Sequence, residues 1–341
     1  MARIVNLRRV HGVRMKHRLP VAIGATTFVV ASLLFNSAFA QPVKLTWAGC
    51  GISKNAFMAE MAAAYKKKTG VEIDFKGGGA TKGIREVAAH KTDIGGTCRH
   101  VIEDPNTYNT LPEERRVQLT PVAWDALAVI VHRGNPVDNI TLEQLRGIYT
   151  GRITNWKELG GSDTPVELYA RKGKISGVGR TLRELVFNDY DADFFAKHVV
   201  DSTGPLERAI PENRGGIGTT GISSARKLGA KVKILKLNGK EPSYENIRTG
   251  EYLLYRPLYM VVHLQNQKPE AKAFLDFVMG PEGKEVMRRV GTVPYEDAIA
   301  LWLKYLDQQK TALANMQRRA TFAGLAPDNA RGSANRVAMP R

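Results

Sequence analysis

The sequence predicts an α/β protein of two lobes, each a mixed sheet flanked by helices, joined by two crossing strands. Three observations predict it. Strand-like and helix-like periodicities alternate along the chain. Two long apolar segments, "VAWDALAVIVH" (122–132) and "LYRPLYMVVH" (254–263), stand mid-chain and late, as expected if the chain leaves one lobe, builds the second and returns. About 270 residues remain once both ends are set aside, more naturally two lobes than one.

The elements follow in order. "VKLTWAG" alternates apolar and polar residues and reads as a strand. Ser53 is placed to cap a helix whose Phe57, Met58, Met61 and Tyr65 share one face, and Gly70 stops it. "VEIDFKG" is the next strand, "GGG" a turn, Thr81 to His90 a helix, and "TDIGGT" a short strand. This strand–helix–strand–helix–strand order is that of a parallel sheet. After the first long apolar strand, "TLEQLRGIYTG" is an amphipathic helix capped by Thr141, and "PVELYAR" is a strand running into a basic loop. "GGIGTTGIS" and "KVKILKL" are two more strands, and the last long strand is followed by two helices broken at Gly280-Pro281. The expected boundaries are 41–122 for the first part of lobe 1, 123–252 for lobe 2 and 253–309 for the return to lobe 1.

The ends are of a different kind. Residues 1–40 have the layout of a secretory signal: the basic Met15-Lys16-His17-Arg18, the apolar "VAIGATTFVVASLLF", and Ala38-Phe39-Ala40, with cleavage after Ala40. The apolar run is 15 residues, short of the roughly 20 a membrane span needs. Export to the periplasm is therefore expected. Residues 310–341 are basic and rich in Ala, Asn and Gly, and read as a flexible tail with one extra helical turn. The net charge of +17 falls to +6 over residues 41–309 once both ends are removed. That is too weak and too diffuse for a nucleic-acid partner. There is no Cys-x-x-Cys, no metal-ligand spacing, no paired carboxylates and no GxSxG element, so no metal, cofactor or catalytic residue is assigned and an enzyme is not expected.

Four loops share a composition: "AGCGIS" (48–53), "GGGAT" (77–81), "GGTCRH" (95–100) and "GKISGVGRT" (173–181). Each follows a predicted strand, and three precede a helix. Glycines let amides approach a ligand, and a helix start adds about half a positive charge. Ser53, Thr81, Thr97 and Ser176 add hydroxyls; Arg99, Arg171 and Arg180 add forked donors. A cup of donors with few acceptors suits a multiply oxygenated anion.

These loops resemble those of the phosphate-binding proteins of bacterial ABC importers, a family of periplasmic type II binding proteins, over about residues 43–300. "GGGATKGI", "DIGGTCR", "LRGIYTGRITNWKELGG" and "RKGKISGVGRT" carry the resemblance, the third being the most specific. It implies the type II two-lobed fold, phosphate or a similar oxyanion as ligand, and a membrane permease as partner. It also implies a monomer and a mechanism of hinge closure. Carried over residue by residue, it implies ligand contacts at Ser53 and the Lys54 amide and at Arg99, with the Gly78 amide or Thr81 in place of the second-loop serine; Gly79, Thr97 and Cys98 in the same loops are also expected ligand residues. From the basic loop it adds Arg171, Ser176, Gly177 and Arg180. The chain departs from the family at Gly78, where a serine is common, in the extra residue between Arg171 and Ser176, at Val178, where a threonine is common, and at Cys98, where relatives have serine or aspartate. The aspartate accepts the proton of protonated phosphate, so its loss bears on discrimination against sulfate.

Cys50 and Cys98 fall in the first and third of these loops, which end neighbouring strands, and a Cys50–Cys98 disulfide is expected. A thiolate site with His100 for a metal or soft anion, and two inert thiols, are the alternatives. At the level of function the alternatives are an oxyanion sensor or adhesion protein on the same fold, and a secreted thiol-dependent or phosphoester enzyme.

Overall fold

The computed structural model describes residues 43–104, 107, 109–265 and 268–325. The signal expected over residues 1–40 lies outside them. The strands are β1 Lys44–Gly49, β2 Glu72–Lys76, β3 Ile94–Thr97, β4 Val117–His132, β5 Asn139–Ile140, β6 Glu167–Arg171, β7 His198–Val200, β8 Gly216–Gly221, β9 Val232–Ile234, β10 Lys236–Leu237, β11 Tyr255–His263 and β12 Val293–Pro294. The main sheet runs β2-β1-β3-β11-β4-β8-β6-β7, with β9 and β12 also paired to β4, and β10 pairs β5 separately. Parallel pairs β1–β2, β1–β3, β6–β7 and β6–β8 make up the outer parts, while the antiparallel β11 and β4 fill the middle. The sheet is therefore mixed, as expected of the fold, with the alternating strand–helix segments supplying its parallel parts.

β4 carries the two-lobe arrangement. Its residues from Val122 to Val131 are buried without a break, the burial of a strand covered on both faces. Its first part pairs with β11 as far as Ala126, and from Leu127 it pairs with β8. One strand thus serves both halves of the sheet. β11 differs from the expected second crossing strand: it pairs only with β3 and the first part of β4. The return passage is made by the short segment before it, where Leu127 N donates to Leu254 O at 2.8 Å and Tyr252 Oη donates to Leu127 O at 2.8 Å. All of β11 is used in one half-sheet, so the crossing falls to Tyr252–Leu254.

The tail reading needs correction over residues 310–325, while residues 326–341 lie outside the described ones. Leu301–Leu325 is one continuous helix, not a poorly ordered segment with a single turn. Trp302 and Tyr305 anchor it in a ring cluster with Trp124, Tyr259 and Tyr295. Farther on, Ala312 is fully buried, Asn315 Nδ2 donates to Asn188 O at 2.7 Å, and Arg319 Nε lies 2.7 Å from Asp189 Oδ2. Past residue 310 its contact face uses alanine and hydrogen bonds in place of large apolar side chains, so hydrophobic periodicity does not reveal the extension.

Candidate functional site

The first, second and fourth glycine-rich loops open helical segments, as the sequence predicts. Gly51–Ser53 begins a helix after β1, continued by a π-helical turn at Lys54–Met58 and then Ala59–Thr69. The residue before it is Cys50, in an extended conformation, so Ser53 lies inside the helix and does not cap it. Ser53 is fully buried and its Oγ has no hydrogen-bond partner. The Lys54 amide is used within the helix, donating to Cys50 O at 3.2 Å, and its ammonium lies over the Phe75 ring. Gly79–Ala88 follows the second loop, where Gly78 and Gly79 have φ of 132° and 87° and are exposed.

The third loop behaves differently from the ligand loop expected of it. Thr97 Oγ1 donates to Arg99 O and accepts from Arg99 N, a local turn. All five guanidinium donors of Arg99 are taken: Nε by Ile175 O, Nη1 by His100 O and Glu114 Oε2, Nη2 by Thr81 Oγ1 and Glu114 Oε1. Arg99 is thus a brace and has nothing left for an anion. Thr81 takes part in the same brace, donating to Ile175 O at 3.2 Å. The brace ties the loops after β2 and β3 to the loop after β6 across the cleft. Glu114 is what makes it stable, its carboxyl held below the usual range by Arg99 and Ile102 N against the effect of burial.

After β6, Ser176 Oγ accepts from Gly179 N and caps the segment Gly177–Leu182. A Cβ at Gly177 would sit 2.4 Å from Cys98 Sγ and 3.0 Å from Ala80 Cβ, so only glycine lets this loop close onto the other lobe. Arg180 stacks on the Tyr190 ring at 3.7 Å and lines a neighbouring cavity of about 150 Å³ with His100, Glu184 and Leu306. It does not join the other donors.

The residues grouped about the Cys50–Cys98 pair are Ser53, Gly177 and Arg171, with Arg256 and Asp125, and with Thr203 bonded to Arg171; the last three were not singled out in the sequence reading. Arg171 ends β6. Its Nη2 donates to Thr203 Oγ1, and its Nε and Nη1 are buried without partners. It lies near enough to Cys50, Cys98 and Arg256 to feel their charges. Arg256 and Asp125 are register partners on β11 and β4 and are both buried. Their closest approach is 3.5 Å, an ion pair without a hydrogen bond: Arg256 Nε and Nη2 and Asp125 Oδ2 have no hydrogen-bond partner. Burial, against the pull of Arg256, pushes the Asp125 carboxyl up to about 6. The available signal was a single charge inside each long apolar strand, "VAWDALAV" and "LYRPLYMVV". Such residues are almost never fully buried unless paired.

The expected disulfide is not formed. Both cysteines are free and buried, with sulfurs 3.2 Å apart, against about 2.05 Å for the bond. Their proximity follows from the β1–β3 register, which sets Gly49 beside Gly96, and from Cys50 N donating to Gly96 O. The metal alternative lacks a ligand set: among the described residues no group of three His, Cys, Asp or Glu could hold an ion.

Glu184, beside the cup, is nearly fully buried, accepts from Tyr190 Oη at 2.7 Å, and is pushed up to about 7 by burial, against the effect of Tyr190 and Arg180. The folded state therefore keeps a proton that the unfolded chain loses. Its stabilising effect is complete below the ordinary glutamate range and is lost as pH rises to about 7, about 3 kcal/mol in all. Glu184→Gln keeps the acceptor for Tyr190 and removes the titration. Denaturant unfolding at pH 5 and pH 8 is expected to show the variant losing less stability than the parent between the two. Equal losses would contradict this.

A domain profile described as PBP superfamily domain matches residues 41–282, and the chain belongs to that superfamily. Among curated relatives, Protein SphX of Synechococcus elongatus is 30% identical over 296 residues, covering 81% of this chain and 83% of its own length. The phosphate-binding protein PstS of Borreliella burgdorferi is 25% identical over 267 residues, covering 76% and 93%. Among solved structures, one from Clostridium perfringens, described as a phosphate ABC transporter substrate-binding protein with bound phosphate, has TM-score 0.65 and 28% identity, covering 74% of this chain and 99% of its own. A Vibrio cholerae ABC-type phosphate transport receptor has TM-score 0.56 and 26% identity, covering 74% and 99%. The two-lobed α/β fold is that of these proteins.

Proposed function

We propose that this chain is the periplasmic substrate-binding protein of an ABC importer, taking phosphate or a closely related oxyanion. The observation that carries the reading is the set of buried donors without acceptors, Ser53 Oγ, Arg171 Nε and Nη1, and Arg256 Nε and Nη2, on residues that all act on the Cys50–Cys98 pair. Leaving such groups unpaired is costly, and a buried oxyanion satisfies several at once with charge-assisted bonds. The relatives named for phosphate point the same way. Asp125 Oδ2 supplies the acceptor that Cys98 cannot, and a carboxylate there favours a protonated phosphate over sulfate.

In this reading the signal is removed after Ala40, and the mature monomer opens and closes about the crossings near Trp124 and Leu254. Lobe 1 comprises residues 41–122 and 253–309, and lobe 2 residues 123–252. The closed form is handed to a permease, and no bond is made or broken in the ligand. Titration calorimetry of the mature chain with phosphate, arsenate, sulfate and molybdate tests this. Tight phosphate binding with sulfate much weaker is expected; heat from none of the four removes the reading.

A further inference from the structure

We propose that Cys50 and Cys98 form a redox gate on the anion cup: as two thiols they hold the Ile52 and Ser53 amides at the head of the first loop, and as a disulfide they release those amides to an incoming oxyanion. The inference rests on the oxyanion reading above. The pair is placed for it. The sulfurs are 3.2 Å apart, nearly inaccessible, and fixed by the β1–β3 register rather than by flexible loops. Cys50 stands immediately before the helix at Gly51–Ser53, with its sulfur against the amides of Ile52 and Ser53 and within reach of the Arg256 charge. Cys98 touches the opposite lobe, since Gly177 packs directly on its sulfur. Any movement of this pair is therefore felt both by the donor set and by the surface on which the lobes close.

The electrostatics agree with the geometry. The hydrogen bond from Cys98 holds the Cys50 thiol well below its ordinary range, helped by Arg256 and the two amides and opposed by burial. The same hydrogen bond, with burial, keeps the proton on Cys98. The reduced pair thus places one negative charge among donors that an oxyanion needs. Like charges at short range in a site removed from water repel strongly.

Oxidation removes that charge. When the lobes open, the Cys50 thiolate attacks one sulfur of a small organic disulfide, forming a mixed disulfide and expelling one thiolate. That thiolate takes the Cys98 proton, and the Cys98 sulfur then attacks Cys50 Sγ, expelling the second half. Two electrons pass from the protein to the small disulfide, which leaves as one thiol and one thiolate. The cysteines are joined and neutral, and the amides of Ile52 and Ser53 are available.

The test is phosphate titration of the mature chain at pH 8, once in excess dithiothreitol and once after treatment with oxidised glutathione and its removal. Alkylation and mass spectrometry score the cysteines in each sample. The oxidised form is expected to bind about tenfold more tightly, the effect of roughly one regained bond between charged and neutral partners. Cys50→Ser/Cys98→Ser is expected to bind phosphate equally under both conditions. Equal affinity of the two forms of the parent, or cysteines still fully alkylated after oxidation, overturns the gate while leaving the oxyanion reading standing. Phosphate binding by neither form of the parent nor the double variant overturns both.

Discussion

Arg171→Met is expected to weaken phosphate binding by two to three orders of magnitude in titration calorimetry. Arg171 brings two buried, unpartnered nitrogen donors to the cup from the end of β6, with the third position of its fork fixed by Thr203. Removing one partner of a buried charge pair costs roughly 2–5 kcal/mol, and each 1.4 kcal/mol is about tenfold. The ligand-free protein is expected to respond in the opposite sense. A guanidinium with unpaired buried donors is destabilising until an anion arrives, so the variant should melt no lower than the parent without phosphate. It should also lose the rise in melting temperature that phosphate gives the parent. A variant that binds phosphate as well as the parent would mean that Arg171 is not a ligand donor.

Arg256→Met is expected to be the most damaging single change to stability. It leaves the Asp125 carboxylate buried without its ion-pair partner, and breaking a buried pair from one side costs about 3–5 kcal/mol. The pH dependence has a definite sign. Asp125 already titrates near 6 in the folded chain. Below that pH it accepts a proton and the penalty shrinks; above it the bare charge remains. Denaturant unfolding should therefore show a larger deficit at pH 8 than at pH 5. The double variant Arg256→Met/Asp125→Asn, which removes both charges, should recover most of the loss. A deficit independent of pH, or no recovery in the double variant, would show that Asp125 and Arg256 are not coupled.

What the sequence disclosed and what it withheld differ in physical kind. Local rules sufficed where a segment decides its own structure. The Thr141 cap closes a full capping box with Gln144, and the strand β1 alternates as written over Lys44 to Trp47. The loops of interest were also legible, because glycines ahead of a helix have a composition of their own. Which donors in those loops are free was not legible. Arg99 and Arg171 look alike in the sequence, yet Glu114, 15 residues from Arg99, consumes two of its donors. Thr203, 32 residues from Arg171, takes only one nitrogen. Partner choice of this kind is set by tertiary contact and has no periodicity. The same holds for Asp125 and Arg256, which meet through the β4–β11 register across more than a hundred residues of chain. The extension of the C-terminal helix past residue 310 was missed for a related reason: its burial there depends on Ala312 fitting closely, while the large rings Trp302 and Tyr305 lie near its start.

A crystal structure of the mature chain grown with phosphate is the most direct measurement of the central claim. The account predicts one phosphate between the lobes, its oxygens within hydrogen-bond distance of Ser53 Oγ and of Arg171 Nε and Nη1, with Arg99 still bound to Glu114. Phosphate lodged elsewhere, or a closed cleft whose Arg171 and Ser53 donors face no ligand oxygen, would contradict it.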